Sequence, residues 1–249
     1  MAIETFERSE IKFLLSGDQY SALKELLPKY MEFDPYCKDD KTYGIYNIYY
    51  DTDNDELIRK SIEKPYYKEK VRLRSYMSPA MPEDKVFLEI KKKIGGIVNK
   101  RRVVMTLKEA EQYINYGIHP PDNGKYLRQQ VLKELDVIFQ RYKLFPKQYI
   151  SYERAAYFGK ECKDFRLTFD KNITARRYDL TLAKESYGEQ LIPEDHRLME
   201  VKISDSMPVW LAEQLAALKI YKISFSKYGT AYKNEMLRNL SKRSIMSYV

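Results

Sequence analysis

The sequence predicts an α+β fold in which about eight short antiparallel strands close into a β-barrel surrounded by about six helices. The first observation is period-2 alternation of apolar and charged residues. In Val86–Lys93, Val86, Leu88 and Ile90 point one way and Phe87, Glu89, Lys91 and Lys93 the other. In Leu198–Ile203, Met199, Val201 and Ile203 oppose Glu200 and Lys202. The second is repetition. Arg8, Glu10 and Lys12 oppose Ile11 and Phe13; Lys70, Arg72 and Arg74 oppose Val71 and Leu73; Arg166, Thr168 and Asp170 oppose Phe165, Leu167 and Phe169. In Asn99–Met105 the consecutive Lys100, Arg101 and Arg102 blur the pattern. The third is hairpin connection, which implies antiparallel pairing rather than βαβ units. If helices cover the apolar faces, the charged faces meet and line a water-filled interior. So many like charges there call for a compensating polyanion.

The elements follow in order. Phe6–Leu15 is the first strand, and Ser16 is placed to cap a helix over Asp18–Met31, with Tyr20, Leu23, Leu26 and Leu27 on one stripe. Asp34–Lys41, with Pro35 and paired aspartates, reads as a loop; Tyr43–Tyr50 is aromatic and β-branched, hence a strand. Asp51-Thr52-Asp53 caps a short helix at Glu56–Ser61. Tyr67–Tyr76 is a strand, Ser78–Asp84 turns into the Val86 strand, and Gly95-Gly96 makes the hairpin to Ile97–Met105. Thr106 caps a helix at Leu107–Tyr116, and Tyr126–Tyr142 carries a helical apolar stripe. Strands are expected near Lys147–Phe158 and Asp164–Asp170, and Asn172–Glu194 is a long loop or edge hairpin. After the Leu198 strand come a helix opened by Pro208, a short strand or turn at Ile220–Ser226, and a last helix over Gly229–Ser241. Trp210 and Tyr49, with the other tyrosines, are expected in the core or the barrel seam. No linker divides the 249 residues, so one domain spanning 1–249 is expected.

Lys and Arg number 44 against 36 Asp and Glu, a net charge of +8, which points to an anionic partner without choosing it. The start MAIETFERSE is too charged for a signal peptide, and no run approaches the roughly 18 apolar residues a membrane span needs. A cytoplasmic protein with reduced Cys37 and Cys162 is the simplest expectation. With two cysteines and two separated histidines, His119 and His196, a zinc site is not expected. Any metal would be a hard cation on carboxylates.

Gly95-Gly96 runs into IVNKRR, not GK[ST], and lies between strands, so it is no phosphate loop. There is no GxSxG, HExxH or serine triad. Basic strands rich in tyrosine could bind nucleic acid, but Glu10, Glu89, Asp170 and Glu200 share those faces and would repel a phosphate backbone unless a metal intervened. A carboxylate among arginines and lysines suits a metal–polyphosphate complex instead. The carboxylate takes the metal, Arg forks bind phosphate oxygens in pairs, and Lys adds point charge.

ERSEIK, KVRLR, LEIK followed by VNKRR, YERAAYF followed by FRLTFD, LMEVKI and FSKYG, in that order, resemble the VTC domain. This is the polyphosphate polymerase domain of the vacuolar transporter chaperone complex, within the triphosphate tunnel metalloenzyme (CYTH-like) superfamily. The likeness runs from about Phe6 to Tyr228 and implies a triphosphate tunnel. It implies that Lys12, Arg72, Arg74 and Lys91 are tunnel cations, with Arg154 and Arg166 from the second half, Lys227 as a late phosphate ligand and Glu200 as the metal ligand. Lys100, Arg101 and Arg102 fall in the expected basic hairpin, and Lys93 and Lys202 are further substrate-binding candidates. Glu10 and Glu89 are further metal candidates. Where the superfamily's first strand often reads ExExK, this chain has Arg8, Glu10 and Lys12, which favours a VTC-like over a hydrolase-type tunnel.

The expected function is therefore transfer of the γ-phosphate of ATP, or of another nucleoside triphosphate, to inorganic polyphosphate primed by phosphate or pyrophosphate, with Mn²⁺ or Mg²⁺. Two alternatives remain: a tripolyphosphatase or nucleoside triphosphatase of the same fold, and a non-catalytic module binding polyphosphate, lipid head groups or nucleic acid. No specific nucleic acid is expected. With no membrane segment and no SPX-type regulatory segment recognisable, the reading leaves room for a membrane-associated partner.

Overall fold

The computed structural model describes residues 9–35, 37, 42–204 and 206–246. Arg8 and most of the Asp34–Lys41 loop lie outside the described residues. The strands are β1 (Ser9–Leu15), β2 (Met31–Phe33), β3 (Tyr43–Asp51), β4 (Tyr67–Ser75), β5 (Lys85–Ile94), β6 (Ile97–Thr106), β7 (Phe145–Gly159), β8 (Arg166–Arg176), β9 (Glu189–Gln190), β10 (Arg197–Ile203) and β11 (Lys222–Ile223). The helices are α1 (Gly17–Tyr30), α2 (Glu56–Ile62), α3 (Leu107–Tyr116), α4 (Tyr126–Arg141), α5 (Val209–Ala217) and α6 (Lys227–Met246). Antiparallel strands with helices give the expected α+β class.

The chain forms two compact units: Met1–Gly44, Tyr152–Ile173 and Ile192–Phe225 in the first, and Ile45–Ser151, Thr174–Leu191 and Ser226–Val249 in the second. The long strands β7 and β8 contribute residues to both. The first unit has strand order β11-β1-β10-β8-β7, with β2 also on β7. The second has β7-β3-β4-β5-β6, with β9 on β8. Neither unit by itself closes its ladder into a ring among the described residues: β11 ends one and β6 the other.

Each unit buries the apolar face of its strands under helices. In the first, Phe13, Leu15, Leu167, Phe169, Met199 and Val201 pack with Leu23 and Leu27 of α1 and Leu211 and Leu215 of α5. Trp210 packs against this core and stacks on Tyr30 with ring centroids 4.4 Å apart. In the second, Val71, Leu73, Val86, Leu88, Ile90, Val103 and Met105 pack with Ala110 and Tyr113 of α3 and Leu132, Leu135 and Ile138 of α4. Each such aliphatic side chain contributes about 1.5–3 kcal/mol on burial. That fixes the register parity and leaves Glu89, Arg72, Lys12 and Glu200 on the other face.

Local signals explain the element ends. Ser16 and Gln19, and Thr106 and Glu109, form capping boxes on α1 and α3. The Asp51 carboxylate accepts the backbone N–H groups of Thr52, Leu57 and Ile58, capping α2 from the end of β3. Gly95 and Gly96 take φ of +54° and +98°, as the two-residue hairpin turn requires. Two expectations shift. Helix α6 begins at Lys227, two residues before Gly229, because the Ser226 hydroxyl accepts the Gly229 N–H at 3.2 Å. Strand β8 runs on to Arg176, passing Asn172 at φ +49°, and pairs there with β9; the edge-hairpin alternative for this stretch therefore holds in part.

Candidate functional site

In the first unit, β1, β10 and β8 place side by side the rows Lys12–Glu200–Thr168 and Glu10–Lys202–Arg166. The Lys12 Nζ lies 3.2 Å from both a Glu10 and a Glu200 carboxylate oxygen. Arg154 of β7 donates to both Asp170 oxygens, at 2.6 and 2.8 Å, and to the second Glu200 oxygen at 3.1 Å. Burial works against the Arg154 charge, but Asp170 and Glu200 outweigh it and hold the guanidinium protonated. The resulting cluster is a chequerboard of alternating charge. Arg166 lies on the same strand face without joining those carboxylates: its Nε donates to the Lys163 carbonyl at 3.4 Å, and its guanidinium lies 4.7 Å from the Phe158 ring.

The second unit is different. Across β3, β4, β5 and β6 the register sets Tyr49, Arg72, Glu89 and Arg102 in one row. The next row is Lys70, Lys91 and Lys100. Glu89 is buried; Arg72 Nε donates to it at 2.6 Å, Lys100 Nζ lies at 2.7 Å, and Arg74 Nε at 3.9 Å. Burial would raise the Glu89 pKa, yet these three cations hold it down at about 2. Lys100 is pushed down to about 8 by burial and by repulsion from Arg72 and Arg74, which its contact with Glu89 does not offset. One carboxylate is thus shared by three cations, and a row of lysines lies beside it. Directly opposed like charges are destabilising in a sheet. Lys93 sits farther along the same face, opposite Lys68 and Val98. Lys227, buried, opens α6.

The strand faces also separate the three consecutive basic residues of β6. Lys100 and Arg102 share the Glu89 face, Arg102 with its guanidinium 5.0 Å from the Phe87 ring. Arg101 points the other way, where with Lys92 it pairs with Glu134 of α4. Sequence reasoning gave no role to Asn47, whose buried amide accepts from Arg74 Nε at 2.9 Å and donates to the Ile150 carbonyl. It read Tyr49 as core or seam. Tyr49 is indeed buried, but its hydroxyl accepts from Arg72 at 3.0 Å. Alternation along Tyr43–Tyr50 puts Asn47 and Tyr49 on one face; only the β3–β4 register reveals that arginines oppose both.

Among the described residues, no group of three or more His, Cys, Asp or Glu side chains converges on one point. The described residues thus offer no all-protein metal cage, and a hard cation held by them would need oxygen ligands beyond one or two carboxylates. Glu200 and Glu10, joined through Lys12, are the pair suited to such a cation. Glu89 is enclosed by cations. No helix of the described residues is long and apolar enough to cross a membrane.

Solved structures of other proteins share the fold, two of them at a TM-score above 0.5. A candidate adenylate cyclase from Bacillus halodurans is 15% identical over 87% of this chain and 92% of its own, with a TM-score of 0.51. HpAC1 from Hippeastrum, a candidate adenylyl cyclase described as having a dominant triphosphatase activity, is 16% identical over 90% and 95%, with a TM-score of 0.53. No curated protein matches the chain. At such identities the likenesses establish fold alone. The VTC domain family matches residues 7–235, nearly the whole length, and the chain belongs to that family.

Proposed function

We propose that the protein is a phosphotransferase of the polyphosphate polymerase type, moving the γ-phosphoryl group of ATP to a growing inorganic polyphosphate chain. The observation that carries this reading is the lysine row Lys70–Lys91–Lys100 beside a Glu89 already shared by Arg72, Arg74 and Lys100. That excess positive charge needs a compact polyanion. In the reading, Arg72 and Arg74 of the second unit bind phosphoryl oxygens through paired N–H groups, as does Arg154 of the first. In the second unit Lys91, Lys100 and Lys227 neutralise phosphoryl charge, and Arg102 and Lys93 extend its basic face. In the first unit Lys12 neutralises phosphoryl charge, and Lys202 and Arg166 extend its basic face. A divalent cation, held by Glu200 and Glu10, would supply further charge neutralisation. The acceptor phosphate attacks in line, so positioning and electrostatics suffice and no side-chain nucleophile is required.

Transfer is favoured over hydrolysis by the state of the carboxylates. Asp170 is locked in a two-point contact with Arg154, and Glu89 lies between Arg72 and Lys100. Neither is placed to activate water, and Glu10 is held by the Lys12 ammonium at 3.2 Å. The hydrolase reading keeps one support, the triphosphatase activity described for the Hippeastrum protein of the same fold. A purely binding module would hold polyphosphate without a metal and with a steep salt dependence.

The test is incubation of purified protein with ATP, Mn²⁺ and a trace of pyrophosphate, reading ADP, free phosphate and long-chain polyphosphate together. ADP with polymer, lost in Glu200→Ala, is the expected result. Free phosphate without polymer would transfer the protein to the hydrolases, and retention of polyphosphate without turnover would make it a binding module.

A further inference from the structure

The second unit holds a polar group that neither the carried-over cation set nor the proposed mechanism uses, the hydroxyl of Tyr49. The side chain is 8% exposed and faces Arg72 across the β3–β4 ladder. Its position is over-determined. The ring stacks on Tyr228 with centroids 4.7 Å apart and an interplanar angle of 27°. The Tyr228 hydroxyl donates to the Asp51 carboxylate at 3.0 Å, and Asp51 is in turn fixed by the N–H groups at the start of α2. Tyr49 therefore cannot swing away to find water without unstacking.

A phenol oxygen accepts and donates. The Tyr49 oxygen accepts from Arg72 Nη1 at 3.0 Å, and no described residue accepts its proton. Buried donors are almost always satisfied. What surrounds this one is cationic: Arg72, Lys70 and Arg74 on β4, with Glu89 beyond Arg72 and taken by it. Burial raises the phenol pKa, but those cations outweigh it and bring it down to about 8, so the O–H is an unusually strong donor. One ring face is occupied by Tyr228, so a partner is met at the hydroxyl edge. An acceptor that fits beside three cations is an anionic oxygen.

We propose that the Tyr49 hydroxyl donates a hydrogen bond to a phosphoryl oxygen of the bound polyphosphate or nucleoside triphosphate and acts with Arg72 as a clamp on one phosphoryl group. The identity of the ligand rests on the phosphotransferase reading; the unused donor does not. Tyr49 is then a substrate-binding residue that selects for a phosphoryl oxygen at one position, not a stacking platform for the base.

The probe is inorganic tripolyphosphate, which carries no nucleobase, titrated calorimetrically into wild type and Tyr49→Phe. The variant keeps the ring, its stack on Tyr228 and its volume. The expected result is at least about fivefold weaker binding in Tyr49→Phe, with the thermal midpoint of the unliganded protein unchanged. Equal affinity of the two proteins would overturn the proposal and leave the phosphotransferase reading standing. Absence of tripolyphosphate binding to wild type would instead sink that reading, and the clamp with it. Should Tyr49→Phe misfold, wild type labelled at tyrosine Cζ serves. The phenol titrating near pH 8 should move to higher pH when tripolyphosphate is added, and an unmoved midpoint would overturn the proposal.

Discussion

Glu89 shows how one side chain ties stability to the charge it gathers. Its pKa, held at about 2 against an ordinary 4.5, makes the ionised form part of the folded state. A depressed carboxylate pKa contributes stability that is complete above about pH 4.5 and lost as pH falls toward 2. For a group this buried the contribution is about 3 kcal/mol. Urea unfolding at pH 6 and pH 3 should therefore show a drop in wild type that exceeds the drop in Glu89→Gln by about 2 kcal/mol, the part of the contribution lost before the folded-state pKa is reached. Equal drops would mean that Arg72 and Lys100 do not hold the carboxylate as the geometry requires. Asp170 presents the converse case. Arg154 loses both its short contacts if Asp170 is neutralised, and a buried guanidinium without its carboxylate costs about 3–5 kcal/mol. Asp170→Asn should lower the thermal midpoint by roughly 6–20 °C, read by circular dichroism without ligand. Glu200 remains as a single contact to Arg154, so the lower end of that range is the firmer expectation.

At the scale of one strand, β6 separates roles that its sequence runs together. Lys100 and Arg101 are neighbours, yet strand alternation sends one toward Glu89 and the other toward Glu134 of α4. Lys100→Met should reduce tripolyphosphate affinity at least about tenfold more than Arg101→Met, whose exposed pair with Glu134 is worth at most about 1 kcal/mol of stability. Calorimetry on both variants checks this, and comparable losses would place both side chains at the ligand. Its neighbour β5 shows what a sequence can convey. Parity of Val86, Leu88 and Ile90 assigns Glu89 to the charged face before any coordinates, because a buried apolar face admits one register. The capping boxes at Ser16 and Thr106 and the Gly95-Gly96 turn are local, so they too are readable. Cross-strand partners are not local. That Asn47 meets Arg74, that Tyr49 meets Arg72, and that Asp170 rather than Glu200 takes both prongs of Arg154 depend on which strands lie adjacent and in what register. Arg166 illustrates the limit from the other side: alternation puts it on the charged face, but the turn at Lys163 and the Phe158 ring hold its guanidinium away from the carboxylates.

For the whole molecule, a net charge of +8 over 249 residues opposes compaction, and a bound polyanion relieves it. A ligand that binds only the folded protein stabilises it by about 2.7 kcal/mol at a hundred times its Kd. For a chain of this size that corresponds to roughly 5–10 °C in thermal midpoint. Tripolyphosphate at low ionic strength should produce such a rise, and sulfate at matched ionic strength a much smaller one, because a single tetrahedral anion cannot meet several cations at once. Raising the salt to about 0.5 M shortens the screening length to roughly 4 Å. That should remove most of the part that comes from net charge and leave the part that comes from buried contacts such as those around Glu89. The divalent cation separates the remaining readings. If Glu200 and Glu10 hold a metal that helps neutralise phosphate charge, Mn²⁺ should enlarge the tripolyphosphate-dependent rise in wild type but not in Glu200→Ala. A rise that is indifferent to Mn²⁺ and vanishes with salt would describe a polyanion-binding surface, since carboxylates on a phosphate-binding face without a metal only weaken it.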